Sequence, residues 1–186
     1  MVLNHKGQHV PQVTFWMFAE SGWYELSTAA LFDHKTVVAF AVPGAFTYPY
    51  SSIQLLGYNE YASIFRTNGV DEILCISVND PFSLANWGEK EGADQVSFIP
   101  DVNGDFTREM KMLVNLSHKG MGYRSWRYSM LVKDGMIETM FVERDSIEAL
   151  PVVSNAETML TYINPEANRP EQTTMRMKLW RTMLSD

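Results

Sequence analysis

The sequence predicts an α/β domain with a central mixed β-sheet flanked by helices. Three observations carry that expectation. Residues 36–42 (TVVAFAV) and 72–78 (EILCISV) are almost wholly apolar, as expected of strands covered on both faces. Each is followed by a turn and a helix-like stretch, the alternation that builds α/β domains. Further on, Asp134-Gly135 separates two strand-like runs, 126–132 (WRYSMLV) and 136–142 (MIETMFV), and Asp-Gly in that position favours a tight hairpin.

Each element can be justified in turn. Residues 13–18 (VTFWMF) are β-branched and aromatic and read as a strand, whereas 25–33 (ELSTAALFD) are more polar. After the run 36–42 comes the small-residue turn PGAFTYPY, residues 43–50. Ser51 and Ser52 then open a helix with Ile53, Leu55 or Leu56, Tyr61, Ile64 and Phe65 at helical spacing, stopping at Asn68-Gly69. After the run 72–78, Asp80 is placed to cap and Pro81 to fill the first turn of a helix reaching about Glu91. Residues 96–100 (VSFIP) form a short strand, 101–104 (DVNG) a turn, and 105–113 a helix with Phe106, Met110 and Leu113 apolar. A last helix spans about 155–163 with Ser154 as its cap. A βαβαβ-like start followed by an antiparallel hairpin flanked by helices is the order of a thioredoxin-like fold with extra elements. Residues 1–165 are expected to form this domain and 166–186 a linker and tail. In the tail, 173–184 could form a helix with Met175, Leu179 and Met183 on one face and Trp180 and Leu184 beside them. Such a face is expected to pack on its own domain or a partner, since three basic residues are few for a membrane-surface helix.

Composition narrows the function classes. A chain of 186 residues with 46% apolar and 12% aromatic content can bury a sizeable core. A net charge of -7 argues against nucleic acid, whose binders concentrate Lys and Arg. No N-terminal stretch has the pattern of a secretion signal and no apolar run approaches the roughly 20 residues that span a bilayer, so a cytoplasmic protein away from the membrane is expected. Cys75 is the single cysteine, which excludes an intramolecular disulfide, a CxxC pair and a Cys-rich metal site. The four histidines are scattered; only His5 and His9 are close, in an N-terminus expected to be mobile, and neither a metal nor a cofactor is expected. The methionines, among them Met110, Met112, Met130, Met136 and Met140, read as adaptable core filler.

The turn at 43–50 carries a resemblance. Pro43, Thr47 and position 50 fit the spacing Pro-x-x-x-Thr-x-x-Cys of the peroxiredoxin active-site loop at the start of a helix. Further matching words are VPGAFT at 42–47, ISVNDPF at 76–82, the Trp87 that follows, FIPDVNGDFT at 98–107, RSWRYSMLVKDG at 124–135 and TMLTYINP at 158–165. Together they resemble the type-5 subfamily of peroxiredoxins, particularly the bacterial form often fused to a glutaredoxin domain, over roughly residues 5–165. No glutaredoxin part is expected in the remaining tail.

The resemblance implies a peroxiredoxin-type thioredoxin-like fold and an activity, reduction of hydroperoxides by a peroxidatic cysteine that glutathione or a thioredoxin system regenerates. It implies that Arg127 supports the thiolate and polarises the peroxide, that the Thr47 hydroxyl orients the peroxide oxygens, and that Pro43 shapes the pocket. A thiolate at the first turn of a helix is favoured by exposed N–H groups and the positive end of the helix dipole.

The departure falls on the reacting atom. Where the family has Thr-Pro-Thr-Cys-Ser-x-x-His-Leu-Pro-Gly-Tyr, this chain has Tyr50 for the cysteine, Gln54 for the histidine and Leu56 for the second proline. A phenol is protonated at neutral pH and has no sulfenic-acid route, so the peroxide cycle is expected to stop at its first step. Cys75, inside an apolar strand with no basic neighbour in sequence, reads as a buried small hydrophobe. Three readings stay open. The first is a catalytically silent homologue that binds itself as a homodimer, an active relative or another protein, with a small oxyanion or the Tyr50 hydroxyl beside Arg127. The second is a redox or other enzyme using Cys75 or the Tyr50/Arg127 pocket, in which Arg127 could equally be a sheet ion pair. The third is an assembly role with Phe82, Trp87 and Tyr123 as apolar contacts.

Overall fold

A computed structural model describes residues 5–47, 49–143 and 150–169. Its centre is a five-stranded sheet of β3 (Thr36–Ala41), β4 (Glu72–Ser77), β5 (Ser97–Pro100), β8 (Tyr128–Lys133) and β9 (Met136–Val142), in the order β5-β4-β3-β8-β9. β3, β4 and β5 run parallel, while β8 is antiparallel to both β3 and β9, so the sheet is mixed as expected.

Alternation along the strands feeds two cores. Val38 and Phe40 of β3, Ile73 and Cys75 of β4 and Leu131 of β8 face α2 (Tyr50–Glu60), α3 (Ala62–Thr67), α4 (Pro81–Glu91) and α6 (Ala156–Ile163). Val37, Ala39, Leu74, Ile76 and Met130 face the other way, toward Phe15 of β1 (Thr14–Ala19), Phe32 of α1 (Thr28–Phe32) and Phe106 of α5 (Asp105–Glu109). β1 pairs with β2 (Gly22–Ser27), and β6 (Leu113–Asn115) with β7 (Tyr123–Ser125), as two separate ribbons. This is the thioredoxin-like arrangement, a mixed sheet between layers of helix.

Several local expectations need correcting. The helix read from Ser51 to Asn68 is two helices, α2 and α3, which meet at Tyr61. Leu55, not Leu56, is the fully buried leucine. The helix expected over 105–113 stops at Glu109, because Lys111 takes a left-handed φ of 54° and the chain re-extends into β6. Asn155, not Ser154, caps α6, its side chain accepting from the Thr158 amide. The N-terminal segment is tied down rather than loose: Gly7 and Val10 donate to the Ile137 and Gly135 carbonyls, and Ile137 donates back to Gln8. Of the five methionines named as core, Met136 is exposed at the hairpin end. The tail 173–184 lies outside the described residues.

The elements that hold the turn were read correctly. Asp80 caps α4 by accepting from the Ser83 amide at 2.8 Å, Pro81 opens it, and Gly92 closes it in the left-handed region. Asp134 and Gly135 both have positive φ, 48° and 73°, as a two-residue hairpin requires. Among the described residues no helix is long and apolar enough to cross a membrane.

Candidate active site

The strand β3 delivers the chain into the turn 43–49, which is held from below and strained within. Ala45 N–H donates to the Asn79 side chain at 2.9 Å, and Ser77 Oγ donates to the same Asn79 oxygen at 2.8 Å, fixing the turn to the end of β4. Pro43 and Gly44 are buried. Phe46 adopts φ 60°, a conformation that a Cβ disfavours and that persists only where the surroundings enforce it. Thr47 Oγ donates to the Gly44 carbonyl at 2.7 Å and also meets Ser51 Oγ. Its carbonyl accepts from Ser51 N–H and that of Pro49 from Ile53 N–H, so the helical hydrogen bonding begins at Thr47. Tyr50 is thus the first residue of α2, half-buried, in the position from which a side chain reaches a helix N-terminus.

Arg127 sits just before β8 and is buried, not aimed at solvent. One guanidinium nitrogen donates to the Tyr50 carbonyl at 3.3 Å and to Gln54 Oε1 at 2.8 Å. The structure therefore brings Arg127 to residue 50, but through the main-chain carbonyl, where the sequence placed the Tyr50 hydroxyl or a small oxyanion. Burial draws the guanidinium down to about 10, against the pull of Glu143, and it stays charged at neutral pH. Tyr50 and Arg127 are thus neighbours, while Pro43 and Thr47 lie in the turn before Tyr50, the Thr47 hydroxyl engaged within that turn.

Sequence reading missed two residues behind Arg127. Glu143, just past β9, is buried and accepts from Val153 N–H, Ser154 N–H and Ser154 Oγ at 2.8–2.9 Å. Ser154, read as a helix cap, instead links this carboxylate to Gln54 and Tyr58. A single buried serine gives no periodic signal, and Glu143 reads in sequence as one more charge after a strand.

The only thiol is enclosed in the sheet, away from the helix start. Cys75 lies mid-strand between Phe40 of β3 and Phe98 of β5, fully buried, and burial pushes its thiol far up. That is the inert environment, not the electropositive, accessible one that activates a thiol.

The Redoxin family description matches residues 5–160. The chain is 50% identical over 161 residues to the hybrid peroxiredoxin hyPrx5 of Haemophilus influenzae, covering 87% of this chain and 67% of that protein. It is 48% identical over 145 residues to a peroxiredoxin of Synechocystis, covering 76% of this chain and 77% of the relative.

The chain belongs to the peroxiredoxin family.

Among solved structures, reduced Prx3 of Vibrio vulnificus in complex with hydrogen peroxide superposes with a TM-score of 0.80 at 35% identity, over 88% of this chain and 100% of that one. Peroxiredoxin 5 of Alvinella pompejana superposes with a TM-score of 0.74 at 26% identity, over 87% of this chain and 98% of that one. The peroxiredoxin fold of this chain matches what the sequence words imply.

Proposed function

We propose that this peroxiredoxin is not a thiol peroxidase and acts by binding or assembly, with Tyr50 standing at the position of the peroxidatic cysteine. The observation that carries the reading is the separation of thiol from site: Tyr50 begins α2 over the buried Arg127, while Cys75 is enclosed in the sheet. Pro43 and Thr47 keep the turn's shape and Arg127 anchors the helix start, so the scaffold around residue 50 persists without its nucleophile. Residues 1–165 are the folded unit in this reading and 166–186 a linker and tail, in a cytoplasmic protein.

The assembly side of the proposal is supported by exposed aromatics. Phe18, Trp23 and Phe82 pack on one another with ring centroids 4.9–5.7 Å apart while 45%, 56% and 53% exposed, and Tyr123 is also exposed. Trp87, by contrast, is wholly buried and is no contact residue. A contiguous exposed aromatic cluster marks an interaction surface, and a homodimer is its proposed use.

Hydroperoxide consumption by the native protein and by Cys75→Ser, with glutathione as reductant, tests the reading. Equal rates at the buffer background are expected. Turnover by the native protein that Cys75→Ser abolishes would overturn it. Light scattering over a range of concentrations tests the dimer.

A further inference from the structure

Four buried side chains form a directed chain behind residue 50. Arg127, Gln54, Ser154 and Glu143 are 1%, 1%, 0% and 5% exposed. The Arg127 guanidinium donates to Gln54 Oε1 at 2.8 Å, Gln54 Nε2 donates to Ser154 Oγ at 3.2 Å, and Ser154 Oγ donates to Glu143 Oε1 at 2.8 Å. A cation and a carboxylate thus terminate a run of three hydrogen bonds that all point the same way, so each bond polarises the next.

The orientation of Gln54 is not free. Its Nε2 also faces the Ser154 carbonyl at 3.1 Å and the Tyr128 carbonyl at 3.5 Å. Carbonyl oxygens only accept, so the amide nitrogen must face them and Oε1 must face the guanidinium. Tyr58 donates to the same Ser154 carbonyl at 2.8 Å, bracing the far end of the link. Glu143 in turn holds Ser154 by its amide and its hydroxyl together.

We propose that Gln54, Ser154 and Glu143 are positioning residues which fix Arg127 under the first turn of α2 and, through Glu143, offset its charge, setting the electrostatic field at residue 50. A lone guanidinium buried beside a helix N-terminus would make this spot strongly cationic. Pairing through the chain moderates it and spares the interior an uncompensated charge. The other titratable groups facing the chain are Tyr58 from α2, Tyr128 from β8 and Cys75 from β4. Burial raises all three well above their ordinary range, which leaves them neutral. Glu143 is therefore the group that decides the sign of the field among those facing Arg127 in the described residues.

The inference rests on the reading above only for the choice of residue 50 as reporter. In full-length Tyr50→Cys, Cys75 stays buried and the installed thiol reports the field through the pH dependence of its alkylation rate. Adding Glu143→Gln is expected to lower that thiol's pKa by about one unit, from a carboxylate on the order of 10 Å away in a medium of effective dielectric about 20. The milder Ser154→Ala keeps both charges and the Gln54 amide where they are and removes only the hydroxyl that links Gln54 to Glu143; it is expected to fold and, by holding Arg127 less firmly beside residue 50, to raise the thiol pKa above that of Tyr50→Cys alone. A bracing role alone would change the melting temperature and leave the thiol titration in place. Should Glu143→Gln fail to fold, Ser154→Ala decides alone. An unchanged thiol pKa, or shifts opposite to these, would overturn the proposal. Neither result depends on whether the native protein consumes peroxide.

Discussion

The start of α2 and the middle of β4 lie on the same side of the sheet, yet they offer chemistry of opposite kinds. At α2 the chain presents a half-buried side chain at a helix N-terminus, a strained Phe46 in the preceding turn and a buried arginine beneath. In β4 it presents the only thiol, packed between strands where burial outweighs the pull of Arg127 on its proton. A thiol catalyst needs both sets of features at one point. Here they are divided, and the comparison teaches that a helix start over a buried arginine and a sulfhydryl enclosed in the sheet can sit apart in one fold.

The strongest way to break the comparison is to ask whether the two positions react differently. Exposing Cys75 requires opening the central sheet, at a cost approaching the global stability of about 5–15 kcal/mol. At 1.36 kcal/mol per tenfold, iodoacetamide should label the thiol of Tyr50→Cys at least about a thousandfold faster than Cys75 in the native protein. Comparable rates would show that β4 is open. Next in size is Arg127→Met, which removes the charged donor to the Tyr50 carbonyl and Gln54 together with the positive charge that acts on buried Glu143, and should cost about 3 kcal/mol in urea unfolding. A loss under 1 kcal/mol would mean the pair is not coupled.

Smaller changes sharpen the picture of the surrounding frame. A Cβ at Gly88 would stand 2.4 Å from the Phe98 ring, where α4 presses on β5, so Gly88→Ala should cost about 1–3 kcal/mol by overpacking. Tyr58→Phe removes one hydrogen bond to the Ser154 carbonyl, which still accepts from Gln54, and should cost about 1 kcal/mol. Asp80→Ala removes the cap of α4 for about 1 kcal/mol. The Ser83 hydroxyl and amide hold the Asp80 carboxyl below its ordinary range. A depressed folded value means the cap contributes fully above the ordinary carboxylate range and fades as pH falls through the folded value. The gap between native and Asp80→Ala should therefore be present at pH 7 and shrink below about pH 4.

Much of the frame was legible in the sequence because its signals are local. The buried strands announce themselves as apolar runs, Asp80-Pro81 as a helix start, and Asp134-Gly135 as a hairpin turn. β2 was not legible: its residues are mostly exposed, so Trp23, Tyr24 and Glu25 show no alternation, and only pairing with β1 makes them a strand. The break at Tyr61 and the early stop of α5 reflect tertiary demands on segments whose periodicity continues past the end. At the candidate site, Pro43, Thr47, Tyr50 and Arg127 are proposed from their place within matching words. Glu143 and Ser154 were not, because Ser154 meets Gln54 across 100 residues of chain and Glu143 joins them only through Ser154, which leaves no pattern in any one segment.

The central claim, that the peroxidatic step is missing, is most directly tested by counting peroxide molecules destroyed per protein molecule when the purified native chain meets excess hydrogen peroxide with a thiol reductant present. The account predicts fewer than about one per chain above the buffer control, since no accessible thiolate can start the cycle. Steady consumption of many equivalents would contradict it.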